Sequence, residues 1–226
     1  MINAKKSLNT QQLKSIEDCI REAETKTGAE IVCAVATESG RYDRAESIFG
    51  IFGAVIALSG SNLLARYMDN DGMWSVEADF SLLVQVILVV TGFLAGILVG
   101  ILSKSLRAYA VSKSEVHAEI HRSAKLILSD AILASPRSAG AVLLYISLAE
   151  RRATILCDRL GKEALDQDTL DSICQSILQN IKQEDITTGL TSGVAQLAEH
   201  LSSRIPAPQE NLDELQNHVL LFHPRP

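Results

Sequence analysis

Leu82 to Leu102 reads LLVQVILVVTGFLAGILVGIL, a stretch without a single charge in which Gln85 and Thr91 are the only clearly polar residues. A helix needs about 20 mostly apolar residues to cross the hydrocarbon core of a bilayer. One that is apolar on every side has no face to offer to water, and a small soluble domain seldom surrounds it. This segment is therefore expected to span a membrane. A second uncharged stretch, Ile48 to Leu64 (IFGIFGAVIALSGSNLL), is shorter and is softened by Ser59, Gly60, Ser61 and Asn62. If only the stronger segment crossed, the chain before and after it would lie on opposite sides of the bilayer. The flanking halves of the chain could not then pack together, so the two segments are expected to cross as a hairpin. The alternative for each is a helix buried inside a soluble core.

Gly92, Gly96 and Gly100 recur every fourth residue of the stronger span. That spacing leaves a smooth face on which another helix can approach closely. The partner could be the first span or a second copy of the chain, and glycine is also simply common in membrane helices. Orientation follows from the flanks. Arg41 and Arg44 precede the first span, and Lys104, Arg107 and Lys113 follow the second. The connecting loop carries only Arg66 against Asp69, Asp71, Glu77 and Asp79. The positive-inside rule then places both termini in the cytoplasm and the loop outside, with Tyr67 and Trp74 suited to the headgroup level.

Outside the hairpin the pattern is that of an α/β domain. Leu13, Ile16 and Ile20 recur at helical spacing between Thr10 and Thr27, and Gly28 closes the helix. Ala29 to Ala36 (AEIVCAVA) fits a largely buried strand. Val111 to Ser135 is helical again and is stopped by Pro136. Gly140 to Ser147 (GAVLLYIS) and Ala153 to Cys157 (ATILC) read as a hairpin of core strands joined by Leu148 to Arg152. Helices follow over Asp168 to Lys182 and Leu190 to Ser203, then an irregular, surface-lying tail. The expected division is 1–45 and 105–206 for the two parts of the domain, 46–104 for the hairpin insertion and 207–226 for the tail.

Composition narrows the function. The net charge of −6 argues against nucleic acid as a partner, since neutralising phosphates needs clustered Lys and Arg. Aromatic residues make up only 4% of the chain, so the core must be built from Ala, Leu, Ile and Val. Cys19, Cys33, Cys157 and Cys174 stand far apart with no CxxC pair, as expected of buried thiols in a reducing compartment. Polar Gln11 and Gln12 stand where a signal peptide would need its apolar stretch, so insertion is expected to depend on the internal spans. The hydrolase and nucleotide-binding motifs GxSxG, GxxxxGK[ST] and GxGxxG after a strand are absent. His117 and His121 share a helix face, but Glu119 is misplaced for HExxH zinc chemistry.

Several words of the sequence, in order, resemble the TPM domain: Thr27-Gly-Ala-Glu30-Ile-Val, Gly140-Ala-Val-Leu-Leu-Tyr-Ile-Ser147, Ala149-Glu-Arg-Arg152, Ile155-Leu-Cys-Asp158 and Thr188-Gly-Leu190. The close, Ile205-Pro206 and Asn211-Leu-Asp-Glu-Leu215, departs from the family's usual Phe-Pro and compact Asn-Glu-Leu. The chain looks most like the bacterial branch in which a hydrophobic hairpin interrupts the domain after its first strand. The resemblance implies an α/β sandwich split by a transmembrane hairpin in a bacterial inner membrane. Through plant members it also implies acid phosphatase activity and binding of divalent cations.

Asp158 follows the second strand of the hairpin, and Gly161 permits a turn that would bring Asp166 and Asp168 towards it. Such carboxylates suit Mg²⁺ or Ca²⁺; alternatively, Asp166 or Asp168 caps the next helix and Asp158 pairs with Arg159 or another surface cation. Glu30, at the start of the first strand, needs a partner if buried, such as Arg151, Arg152 or a backbone amide. The two arginines could also take an anionic ligand. Two functions follow. One is a membrane-tethered interaction or assembly module that binds other membrane proteins or itself; the other is a metal-dependent phosphatase.

Overall fold

The structure is a computed structural model that describes residues 3–41, 43–69, 81–103, 111–134, 140–182, 185–207 and 219–226. Trp74, the loop acids Asp71, Glu77 and Asp79, the flanking Lys104 and Arg107, Pro136, and Asn211, Glu214 and Leu215 lie outside the described residues. The chain divides into two compact units, Met1–Gly40 with Val116–Pro226, and Arg41–Glu115.

The first unit begins with α1 (Ala4–Ser7) and α2 (Thr10–Glu24). Asn9 and Gln12 form a reciprocal capping box that starts α2. β1 (Glu30–Ala36) follows, and all seven of its residues are buried. β2 (Ala141–Ser147) is likewise buried throughout and runs parallel to β1. That is the behaviour of strands covered on both faces, and it explains why their sequences run apolar instead of alternating. β3 (Arg152–Cys157) pairs antiparallel with β2. The last strand, Leu220–Phe222, which becomes β4, pairs parallel with β1 on its other side, giving the order β3-β2-β1-β4.

Alternation along β1 divides the core in two. Ile31, Cys33 and Val35 join Val142, Leu144 and Ile146 of β2 beneath α2 and two later helices. Those helices, over Gln167–Lys182 and Ile186–Ser202, supply Ile173, Ile177, Leu190 and Leu197 to this layer. Val32, Ala34 and Ala36 join Leu143 and Tyr145 on the opposite face, which Ile120, Ala124, Ile127 and Leu128 cover. These four lie on α5 (Lys113–Ala134), so the unit is an α/β sandwich with its sheet in the middle.

After β3 come α6 (Arg159–Ala164), α7 (Gln167–Lys182) and α8 (Ile186–Ser202). The structure begins α8 four residues ahead of the expected start, because the Asp185 side chain accepts the Thr188 N–H and caps it there. Gly189 and Gly193 lie within α8, packed against Ile177. The irregular tail expected over 207–226 is corrected at its end. Leu220–Phe222 is a strand, recognisable only through its pairing with Ala34, Val35 and Ala36.

The second unit contains α3 (Asp43–Asp69) and α4 (Leu82–Leu102). α3 runs unbroken through Ser59–Asn62, since Ser and Gly weaken a helix without stopping it. Ser47–Ala65 and Leu82–Leu102 are two helices long and apolar enough to cross a membrane. They pack on each other through glycine. A Cβ built on Gly96 would lie 2.1 Å from the Phe49 carbonyl oxygen, and one on Gly53 would lie 2.2 Å from the Gly92 carbonyl oxygen. Gly100 meets the Phe49 ring. The partner of the Gly92, Gly96 and Gly100 face is thus the first apolar helix of the same chain, whose own Gly50 and Gly53 complete the contact.

Candidate functional site

The carboxylates expected to gather around a metal do other work. Asp158 is the N-cap of α6, its Oδ1 accepting the Gly161 N–H at 2.9 Å. Asp166 caps α7 by accepting the Thr169 N–H at 2.7 Å, and these hydrogen bonds from Thr169 hold its pKa below the usual carboxylate value. Asp168 lies exposed in the first turn of α7, where an acidic side chain complements the helix dipole. Gly161 does not make the expected turn; it sits inside α6, where a Cβ would approach Cys157 Cβ to 2.8 Å. Among the described residues no group of three or more His, Cys, Asp or Glu side chains is arranged to hold a metal ion. The trio Asp158, Asp166 and Asp168 therefore does not fit Mg²⁺ or Ca²⁺ as it stands.

The expected grouping of Glu30 with Arg151 and Arg152 is also corrected. Glu30 pairs in register with Ala141 at one end of the sheet, and Arg152 pairs with Ser147 at the other. Six residues of extended chain separate those ends by about 20 Å. Arg151 adopts φ 51°, a left-handed conformation that closes the turn between β2 and β3, and both arginine side chains are exposed. Glu30 is buried beside the point where Asp158 N donates to the Ala141 carbonyl. His117 and His121 stack with ring centroids 6.4 Å apart on the exposed face of α5. Partial burial and the charges of Lys125, His117 and Lys162 lower the pKa of His121.

A polar cluster that the sequence reading did not single out lies at the C-terminal ends of β1 and β2, the edge where open α/β sheets bind ligands. Thr37, Glu38 and Ser39 continue from β1; Ser147 ends β2, and Glu150 sits in the turn beyond it. Ser39 Oγ lies 2.8 Å from the Tyr145 hydroxyl, and Ser39 N donates to Glu150 Oε1 at 3.0 Å. Ser123 on α5 donates to the Ser39 carbonyl at 3.0 Å, and the Ser147 hydroxyl donates to Glu150 Oε2. Arg225, from the C-terminal tail, pairs with Glu38 at 2.8 Å. The only local signal was the polar run Thr37-Glu-Ser-Gly40 directly after a buried strand; the partners come from positions 123, 145, 150 and 225.

This arrangement holds backbone in place more than it activates a nucleophile. Burial pushes the Tyr145 pKa up to about 12, so its hydroxyl keeps its proton at neutral pH and serves as a hydrogen-bonding group. Burial raises the thiols too: Cys157 to about 12, Cys174 to about 11, and Cys19 and Cys33 in the same direction. A protonated buried thiol is a poor nucleophile and a poor metal ligand. Between α2 and α8 lies a shallow groove of ≈ 380 Å³ floored by Ala23, Ala195 and Ala198 and edged by Glu22, Lys26 and Glu199.

Residues 110–200 match the family model TPM_phosphatase, described as the TPM domain. No curated protein matches the sequence. Among solved structures, the chain is similar to the NMR structure of the BA42 protein from the psychrophilic bacterium Bizionia argentinensis, at 19% identity over 94% of each chain with a TM-score of 0.48. The matched segment contains α5, the β2–β3 hairpin, α6, α7 and nearly all of α8, so the greater part of the α/β sandwich is similar to the TPM domain.

Proposed function

We propose that the protein is a membrane-tethered interaction or assembly module. Its α3–α4 hairpin crosses a bacterial inner membrane, both termini lie in the cytoplasm, and the TPM domain engages neighbouring membrane proteins or another copy of itself. One observation carries the reading. α3 and α4 turn glycine towards each other and large apolar side chains outwards: Phe52 is 62% exposed, Ile56 69%, Leu83 67% and Leu94 59%. Such a surface is costly in water and ordinary in lipid, where close backbone packing, not burial of large side chains, joins helices. The exposed Arg41 ahead of α3 agrees with a cytoplasmic flank.

The test is topology in bacterial membranes. The full chain should stay with the membrane pellet through alkaline carbonate extraction. A fluorescent protein fused at either end should fold and fluoresce, while a reporter active only outside the cytoplasm should work when inserted at 70–80. Release by carbonate would overturn the reading, and a silent inserted reporter would overturn the orientation. Partners would then be sought by crosslinking in intact membranes.

The name of the matched family model favours one rival, hydrolysis of phosphate esters, for which Mg²⁺ or Ca²⁺ would be the supporting ion. Detergent-purified protein assayed on a generic phosphate ester, with and without either ion, distinguishes the two. Metal-dependent turnover that Asp158→Asn abolishes would favour the enzyme; no turnover by folded, metal-supplied protein favours the module.

A further inference from the structure

The helices on the two sides of the sheet carry their charge differently. On α2 and just beyond it, cations are answered by neighbouring acids: Arg21 lies 3.2 Å from Asp18, and Lys26 lies 2.7 Å from Glu22. α5 covers the opposite face of the sheet. Its Arg122 and Lys125 are exposed and take part in no ion pair among the described residues.

The sequence of α5 sorts its residues by side. Ile120, Ala124 and Ile127 turn to the core. His117, His121 and Lys125 recur every fourth residue on the outer side, with Arg122 and Ser129 beside them, and all five are exposed. Leu126 and Leu133 continue that surface, 56% and 78% exposed. At 3.6 residues per turn the acids Glu115, Glu119 and Asp130 fall on one flank, beyond Arg122 as seen from Lys125. The outer face is thus basic along one stripe and apolar along the next.

A second element adds to the same field. Besides partial burial, the charges of Lys125, His117 and Lys162 each act to lower the pKa of His121. Lys162 lies on α6, is exposed and is in no ion pair among the described residues. In a chain of net charge −6, positive charge left uncompensated on one face marks a place for an anionic partner. A polyanion in water would answer the cations and leave Leu126 and Leu133 wet. A bilayer surface satisfies both stripes, because its phosphates meet the cations while the leucines reach past them towards the acyl chains. The tether agrees with that choice. Only residues 103–112 separate the end of α4 from the start of α5, a reach of at most about 36 Å.

We infer that the outer face of α5, with Lys162 of α6 beside it, is a docking surface for the anionic lipid headgroups of the membrane that α3 and α4 cross. The inference rests on the membrane-spanning reading of that hairpin and adds that the α/β unit lies against the bilayer.

The test is fluorescence quenching by brominated lipid in full-length, reconstituted protein. The chain's one tryptophan is removed by Trp74→Phe, and a single reporter is returned by Ser129→Trp, in the middle of the outer face, or by Leu98→Trp, on α4. Vesicles are of phosphatidylglycerol or phosphatidylcholine, with acyl chains brominated close to the headgroup or left unbrominated. Leu98→Trp should be quenched alike in both lipids. Ser129→Trp should lose at least about half of its fluorescence in brominated phosphatidylglycerol and less than about a tenth in brominated phosphatidylcholine. Adding Arg122→Glu/Lys125→Glu, exposed changes that leave the fold intact, should abolish that loss. Quenching of Leu98→Trp without quenching of Ser129→Trp in phosphatidylglycerol overturns this inference and leaves the spanning hairpin standing. Quenching of Ser129→Trp that is equal in both lipids, or that survives the charge reversal, also overturns it. No quenching of Leu98→Trp in either lipid overturns the spanning hairpin and the docking surface together.

Discussion

The two units of this chain use apolar residues in opposite ways. In the α/β unit Leu144, Tyr145, Ile177 and Leu190 are at most 0% exposed, while in the hairpin unit Ile51, Phe52, Leu94 and Leu98 are each more than half exposed. The first is assembled by removing large side chains from water. The second is assembled by glycine, which lets Phe49 and Gly96, or Gly53 and Gly92, bring backbone against backbone. A helix can therefore be equally apolar in both units and still be held by different physics.

The sharpest way to break this comparison is to truncate one leucine in each unit. Leu144→Ala should cost about 3 kcal/mol, because the cavity forms where nothing can collapse into it. Leu94→Ala, on a side chain 59% exposed, should change stability by less than about 0.5 kcal/mol. Denaturant unfolding of the detergent-solubilised protein compares them, and equal losses would refute the distinction.

Alkaline titration probes the α/β unit alone. Tyr145 has a folded pKa of about 12 against about 10 in an unfolded chain. A raised acid keeps its proton longer when folded, so its contribution is fully present below about pH 10 and is lost as pH rises towards 12. That amounts to roughly 2–3 kcal/mol, on top of an earlier loss from about pH 9 as the unfolded chain's counterparts of Cys157 and Cys174 ionise. Tyr145→Phe should lessen the loss between pH 10 and 12, leaving the share of Cys157 and Cys174, while costing about 1 kcal/mol at neutral pH through the Ser39 hydrogen bond. An unchanged alkaline profile in that variant would mean Tyr145 is not the group responsible.

Gly96→Leu probes the hairpin alone. Its side chain would have to displace the Phe49 carbonyl, forcing α3 and α4 apart at a cost of about 2 kcal/mol. Spin labels on the two helices should move apart, while chemical unfolding of the α/β unit stays as in wild type. A smaller effect than that of Gly96→Leu is expected at Asp158. As an N-cap, Asp158→Ala should cost about 1 kcal/mol and Asp158→Asn only a few tenths, since Asn caps equally well. A large loss in the Asn variant would point to a role for the charge itself.

Much of this architecture was legible because it is written locally. The apolar run of Leu82–Leu102, the buried strands Glu30–Ala36 and Ala141–Ser147, and the helix Lys113–Ala134 each carry their own period. The candidate site was less legible. Asp158 and Asp166 have the residue type of a metal ligand and of a helix cap alike, and only the direction of the nearest N–H groups separates the two. Glu30 and Arg152 seemed available to each other until the parallel register of β1 and β2 placed them at opposite ends of the sheet.

The sequence by itself determined the long helices, the three longer strands and the segments that are apolar all round, because residues a few positions apart share one face of an element and set its period. Tertiary structure alone decided that the Gly92–Gly96–Gly100 face meets Gly50 and Gly53. It also turned three residues near the C-terminus into a strand beside β1, and joined Ser39, Ser123, Tyr145, Glu150 and the Glu38–Arg225 pair at one edge of the sheet. These contacts link positions tens to hundreds of residues apart. No local period records them, and they exist only once the strands have chosen their neighbours.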